Sequence, residues 1–399
     1  MRLDIVAKRL LERVVHNRGR ILSIMATLLM AGAMAACGDE YPQSTVNPTT
    51  EFGRVTHDLY TGIFWWTMII LAVVWAVLAY TLVRFREKPG APRPKQIHGN
   101  MALEIGWTIA PALIVVAITV PTIRGVFDLQ RPNGDDALVV EVTGNRYWWS
   151  FHYPEYGVTT ANELHLPVGR PVTLRLEASD VIHSFWVPRI GGKRDVNPIV
   201  RTPEGEGRKY TWLFFTLEEE GEYLGQCAEF CGQSHSLMRM RVFGDSPEAF
   251  EAWVEAWQTP SATALAPAAA EPEPEADAPE QGTDTAEGTQ STVDEDPLVA
   301  EGRDVFLNQS FCVACHAING TPAGGVIGPN LTRFGARSTL GAGMLENTPE
   351  NLFRWIRDPQ SVKPDARMPG VIYEAGGWPS TNLTDDQVRA LAAYLTSLQ

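Results

Sequence analysis

Two long stretches free of charged side chains limit what this chain can become. Leu59 to Val83 runs for 25 residues and Ile105 to Ile123 for 19 without an Asp, Glu, Lys or Arg. As helices they extend about 37 Å and about 28 Å, enough for one crossing each of a hydrocarbon core. In that medium every backbone polar group must be satisfied within the segment, so a helical hairpin is the economical solution. The loop between them carries Arg84, Arg86, Lys88, Arg93 and Lys95 against Glu87. Basic excess keeps a short loop in the cytoplasm, which places both ends of the hairpin, and everything after residue 124, on the outer side. Upstream, Arg2, Lys8, Arg9, Arg13, Arg18 and Arg20 precede an uncharged run from Ile21 to Ala36 that is short and ends in small residues. That is the pattern of a targeting segment over 1–36, with the hairpin following over 37–132.

The five cysteines are Cys37, Cys227, Cys231, Cys312 and Cys315, and four of them sit in two motifs. No pair is left for a structural disulfide, so cysteine here reads as cofactor chemistry. Cys227-Ala228-Glu229-Phe230-Cys231 is followed by His235 and Met238. Soft sulfur with imidazole selects copper among the common metals. A structural zinc site would leave the Met238 thioether without a role, and a Cys227–Cys231 disulfide would leave His235 and Glu229 unexplained. One more imidazole from a distant strand completes a dinuclear centre, and His183 is the candidate. Cys312-Val313-Ala314-Cys315-His316 has the spacing of c-type haem attachment: two thioethers reach one macrocycle while His316 stands on its axis. No histidine follows His316, so the sixth ligand is Met344 or Met368. Met368, in the stiff loop Lys363 to Pro369, is preferred. Met/His ligation raises a haem's potential.

Residues 133–258 read as all-β. Val172, Leu174 and Leu176 alternate with polar neighbours, Tyr210, Trp212 and Phe214 repeat the period, and so do Met238, Met240 and Val242. A short helix over 246–257 closes this domain. Residues 259–296 are rich in Ala, Pro, Glu, Thr and Ser, with ten acids and no Lys or Arg, and read as a disordered linker. They account for most of the formal net charge of −14. Residues 297–399 form a helical domain, with one amphipathic helix around Leu352 to Ile356 and a last one from Asp385 to Leu398. No basic patch with interleaved aromatics lies outside the membrane-flanking regions, so nucleic acid is not a partner.

The stretch from Thr56 to Trp257 resembles subunit II of the haem-copper cytochrome c oxidases, on the motif C-x-E-x-C-x-x-x-H-x-x-M. The resemblance implies a multidomain chain: a two-helix transmembrane hairpin, an all-β cupredoxin-like domain bearing the dinuclear copper centre CuA, and a linker. The final domain resembles small class-one cytochromes c. It further implies bridging thiolates at Cys227 and Cys231, one copper capped by His183 and the other by His235, Met238 as a weak ligand, and the Glu229 backbone carbonyl on the second copper. The Glu229 carboxylate would reach a magnesium ion at the contact with the catalytic subunit. Glu104, in the run His98 to Thr108, would stand at the mouth of a proton channel of that subunit. Tyr147 and Trp148 match the aromatic patch where a soluble cytochrome delivers electrons, with Tyr147 standing where Trp is usual. In Gly328-Pro329-Asn330-Leu331, the Pro329 carbonyl would accept from the ligating imidazole of His316. Ala35-Ala36-Cys37 resembles a bacterial lipobox, with Cys37 the lipidated residue.

The function implied is electron transfer in a caa-type oxidase of the bacterial cytoplasmic membrane. Electrons pass from the fused haem c to CuA and on to the catalytic subunit that reduces oxygen. The partners implied are that catalytic subunit, further oxidase subunits, a soluble or membrane cytochrome donor, and lipid. The alternatives are a CuA and haem c subunit of a nitric oxide reductase, or a stand-alone membrane-anchored electron carrier. Joined by the linker, the two redox domains would meet at an effective concentration set by tether length.

Overall fold

The computed structural model describes residues 23–24, 27–28, 41–90, 92, 95–96, 98–198, 200–202, 205–207, 210–265 and 295–399. The described residues from 45 onward belong to one compact unit. Cys37 and nearly all of the expected targeting segment lie outside the described residues, as does most of the expected linker, 266–294.

The two long helices are Glu51–Arg84 and Met101–Asp128. Both are long and apolar enough to cross a membrane. The first starts two turns before its charge-free run, capped by Thr50, whose Oγ1 accepts from the Gly53 amide at 2.9 Å. Those turns belong to the β-domain: Phe52 is buried in its core, Glu51 accepts from the Thr216 amide at 2.9 Å, and Arg54 pairs with Glu218. The first span is therefore anchored to the outer domain by side chains. Asn100 caps the second helix, its Oδ1 accepting from Ala102 and Leu103 amides at 3.1 and 3.3 Å.

Numbered in chain order, the strands are β1 (Leu138–Asn145), β2 (Trp148–Tyr153), β3 (Val158–Ala161), β4 (Glu163–Pro167), β5 (Pro171–Ala178), β6 (His183–Trp186), β7 (Arg194–Val196), β8 (Val200–Thr202), β9 (Gly205–Gly207), β10 (Thr211–Thr216), β11 (Gly221–Cys227) and β12 (Arg239–Asp245). Two five-stranded sheets, ordered β10-β5-β1-β2-β3 and β4-β12-β11-β6-β7, face each other as a sandwich. β1 runs parallel to β5 and β4 parallel to β12, with the other pairs in these sheets antiparallel. Val140, Val142, Leu174, Leu176, Trp149 and Val242 are fully buried between the sheets. In β10 the buried residues are Leu213 and Phe215, while Trp212 is 41% exposed. The sequence expectation took the other face, Tyr210, Trp212 and Phe214. Trp212 and Phe214 instead stack outside the sandwich at 6.3 Å, and Arg175 lies 4.5 Å over the Tyr210 ring. Both phases of this segment are apolar, so periodicity alone could not choose between them. Helix Pro247–Gln258 closes the sandwich with Phe250, Val254 and Trp257 buried.

The C-terminal domain packs helices Pro297–Asp304, Pro349–Arg357 and Asp385–Ser397 around Phe306, Leu352, Leu391 and Tyr394. Thr384 and Gln387 form a capping box at the start of the last helix. Some described residues at the two ends of the expected linker pack on this domain. Ala262–Leu265 is a helical turn with Ala264 in the domain core. Buried Arg303 donates to Thr263 O at 3.3 Å and to Glu295 Oε1 at 2.6 Å. An Ala- and Pro-rich composition does not reveal that one alanine, Ala264, is buried against the rest of this domain.

Candidate metal centre and haem cavity

Sheet pairing assembles the first site. β11 pairs with β12 on one side and β6 on the other, so the β11–β12 loop lies beside the first residue of β6. That residue is His183, fully buried. The Ala228 amide donates to Ser184 O and the Cys227 amide to Met238 O, both at 2.9 Å, which pins the loop at its two ends. Cys227 Sγ lies 3.9 Å from Cys231 Sγ and 3.8 Å from His183 Nδ1. Cys231 Sγ lies 3.7 Å from His235 Nδ1 and 3.9 Å from Met238 Sδ. The Glu229 carbonyl is 3.3 Å from Cys227 Sγ, while its carboxylate makes no hydrogen bond among the described residues. The ligand atoms of His183, Cys227 and Cys231 all lie within 4.8 Å of one another.

The electrostatics fit a multiply charged metal. The contact between the two sulfurs, helped by His183 and opposed by desolvation, pulls the Cys227 thiol well below its ordinary value, and the same contact pushes Cys231 up. Two buried thiolates at this distance coexist only with positive charge between them, which a pair of copper ions supplies. Asp180, absent from the sequence-derived ligand set, orients His183: its Oδ1 lies 2.9 Å from Nε2, leaving Nδ1 to face the sulfurs. Burial acts to raise the Asp180 carboxyl, but bonds from His183 and the Val181 and Arg146 amides outweigh it and hold the group well below the carboxylate range.

The second site is a cavity lined by Cys312, Cys315, His316 and Met368; Met344 is not among its lining residues. Cys312–Cys315 forms one helical turn that puts both thiols and His316 on the same wall. His316 Nδ1 donates to Pro329 O at 2.8 Å. Burial lowers the imidazole pKa and keeps the ring neutral, the form in which an imidazole nitrogen is able to bind a metal. Gly328 is required by this packing: a Cβ there would lie 2.7 Å from the His316 ring. Leu331, Phe334, Leu352, Trp355 and Ile356 give the cavity an apolar wall. Arg337, 9% exposed, also lines it, and its Nε has no hydrogen-bond partner among the described residues. Its Nη2 donates to Asn330 O, so the free Nε beside a greasy wall matches an apolar macrocycle with a peripheral carboxylate.

Arg146, Tyr147, Trp148 and Asn162 of the β-domain close the same cavity. The two domains are thus in contact at their redox sites. Tyr147, 2% exposed, donates from its hydroxyl to Asp365 Oδ2 at 2.5 Å. Its phenol also fills the space beside Gly232, where a Cβ would lie 2.3 Å from the hydroxyl oxygen. Ser234 Oγ donates to Pro364 O. The loop carrying Cys231 and His235 therefore touches the loop leading to Met368.

Family models described as cytochrome c oxidase subunit II, transmembrane domain, as cytochrome c oxidase subunit II, periplasmic domain, and as cytochrome c match residues 45–124, 157–244 and 299–399. Cytochrome c oxidase subunit 2 of Alkalihalophilus pseudofirmus is 37% identical, over 83% of this chain and 83% of its own. The chain belongs to the cytochrome c oxidase subunit 2 family. Cytochrome c oxidase subunit 2 of a Bacillus species is 34% identical over 93% of this chain and 95% of its own. The solved periplasmic domain of subunit II of cytochrome oxidase of Bradyrhizobium japonicum is 27% identical, with TM-score 0.28, covering 32% of this chain and 96% of that one.

The chain is a membrane-anchored electron-transfer component of an oxidoreductase complex, and its cofactors are the CuA copper centre and a haem c. Glu104, placed at the start of the second long helix, has a local partner: its Oε1 accepts from the Asn100 amide at 3.2 Å. The signal for Asp180 was present in the sequence as an acid three residues before the candidate ligand His183. Arg337 carried no such signal, because only the folded cavity distinguishes it from neighbouring arginines.

Proposed function

We infer that His183, Cys227, Cys231, His235, Met238 and the Glu229 carbonyl hold the copper pair, and that Cys312, Cys315, His316 and Met368 hold the haem. The subunit then relays electrons to the oxygen-reducing catalytic subunit of a caa-type oxidase. When bound, the two groups would supply one-electron chemistry in which no bond is made or broken. The chain's residues keep that exchange cheap. Asp180 holds the His183 ring and Pro329 the His316 ring, so the ligands need not reorient between redox states. Tyr147 and Trp148 exclude water between the cavity and the copper loop.

The observation that carries this reading is the convergence of two thiols, two imidazoles, a thioether and a carbonyl within 4 Å contacts, beside a cavity bearing C-x-x-C-H. The finer assignments rest on the resemblance to subunit II. The Glu229 carboxylate binds magnesium shared with the catalytic subunit, and Glu104 stands at the mouth of that subunit's proton channel. Cys37 carries lipid, and both redox domains face the periplasm of a bacterial cytoplasmic membrane. The donor is a soluble or membrane cytochrome.

The deciding experiment is a reduced-minus-oxidised optical spectrum of the complex that copurifies with this chain. A haem A band beside the haem c band is expected. Haem c with only b-type haem would move the assignment to a nitric oxide reductase.

A further inference from the structure

We propose that Glu163 and Lys363 form a reciprocal latch that holds the haem-bearing domain on the copper domain in one register, positioning the two redox sites for transfer within the chain. The proposal rests on the ligand assignments above. Each side chain leaves its own domain and ends on the backbone of the other. Glu163, at the start of β4 and 5% exposed, offers Oε1 to the Ser338 and Thr339 amides at 2.9 and 3.1 Å and to Ser338 Oγ at 2.7 Å. Lys363, 3% exposed, reaches the other way and donates from Nζ to Tyr147 O at 2.6 Å, while bracing Gly341 O of its own domain at 2.9 Å.

A buried polar or charged group is tolerated only where its hydrogen bonds are made. Here both sets are made together in one docking register. A shift of one peptide along the contact would strip Glu163 of its amides and Tyr147 O of its donor at once. An apolar contact of the same size would impose no such register. Both anchors sit beside the redox sites. Lys363 begins the loop that ends in Met368, and its acceptor belongs to Tyr147, packed on the copper loop at Gly232. Thr339 and Gly341 line the haem cavity. The latched arrangement covers Tyr147 with the chain's own domain, so an outside donor reaches copper through the haem.

The test uses the intact oxidase complex with the full-length chain. Transfer from haem to copper is followed after photochemical reduction of the haem, as solvent viscosity is raised. Amide exchange at Ser338 and Thr339 is measured in parallel. The wild type should transfer at a viscosity-independent rate with both amides protected. The double variant Glu163→Ala, Lys363→Met should transfer at least tenfold more slowly, lose rate further with viscosity, and expose both amides, with unchanged haem and copper spectra. Glu163→Gln, which retains the accepting oxygen, should behave as wild type. A wild-type rate that already falls with viscosity overturns the latch, as does a double variant with wild-type rate and protected amides. If the double variant fails to bind its cofactors, the two wild-type measurements decide. A wild type with no haem-to-copper transfer would sink the electron-transfer assignment instead, and amide exchange would still report on the latch.

Discussion

Asp180 and Lys363 illustrate how single side chains here act through what they hold. Asp180 touches no sulfur, yet it fixes which nitrogen of His183 faces them. Removing such an outer partner usually costs a metal site about 10–100-fold in affinity. Asp180→Asn should therefore weaken copper binding by about that factor in a chelator competition, leaving the haem c spectrum unchanged; unaltered copper affinity would mean that His183 is oriented by packing alone. Lys363 supplies a pH dependence. Burial pulls its amine from the ordinary 10.5 down to about 7, with an opposing contribution from Cys231. The folded state then binds fewer protons than the unfolded state between those values, so stability rises with pH across that window and is lost as pH falls toward 7. From about pH 7 to about pH 9 the gain is on the order of 2 kcal/mol. The neutral amine still has two N–H donors for its two carbonyl acceptors, so the contact survives deprotonation. Thermal unfolding of the wild type should show this rise, and Lys363→Met should flatten it by that amount.

Among the elements, those whose chemistry is packed into one turn were the legible ones. Cys312 to His316 is a single helical turn, and Cys227 to Met238 is one strand-to-strand loop, so their ligand spacing survives translation into sequence. His183 lies 44 residues from Cys227, and only the β6–β11 pairing brings it in; without a family pattern, no local signal marks it. β10 was misread in phase because Leu213 and Phe215 alternate with Trp212 and Phe214, apolar on both faces. Gly328 is an element-scale requirement hidden in a short motif. It lets the Gly328–Pro329 segment approach the His316 ring closely enough for the Pro329 carbonyl to accept from Nδ1. Gly328→Ala should push the ring away and destabilise the haem-bearing domain by about 1–3 kcal/mol, as overpacking does. The expected signs are a lowered unfolding temperature and a haem spectrum with weakened axial ligation, beside an unaltered copper spectrum. A wild-type haem spectrum would show that the segment can yield without cost.

At the scale of the molecule, the arrangement of the two redox domains separates this structure from what composition suggests. A long acidic, Pro- and Ala-rich stretch implies a tethered domain that searches for its partner, with transfer limited by effective concentration. The contacts imply the opposite. Beyond Glu163 and Lys363, Arg333 donates to Ala256 O at 3.1 Å, the Arg239 amide to Ala342 O at 3.2 Å, and Arg367 stands 3.8 Å from Asp180. These partners are far apart in sequence and alternate between side chain and backbone, a pairing that no local pattern encodes. The two pictures differ in how they respond to tether length. For a searching domain, effective concentration falls roughly as the −3/2 power of linker length, so doubling the segment between 266 and 294 with Gly and Ser would slow transfer about threefold. For a docked domain the tether has no part in the rate. The lengthened chain should therefore transfer electrons from haem to copper as fast as the wild type. The same insertion placed in Glu163→Ala, Lys363→Met should add its length penalty to the slower rate of that variant. A lengthened wild-type chain that slows about threefold would mean that docking is transient and that the tether, rather than the interface, sets the pace.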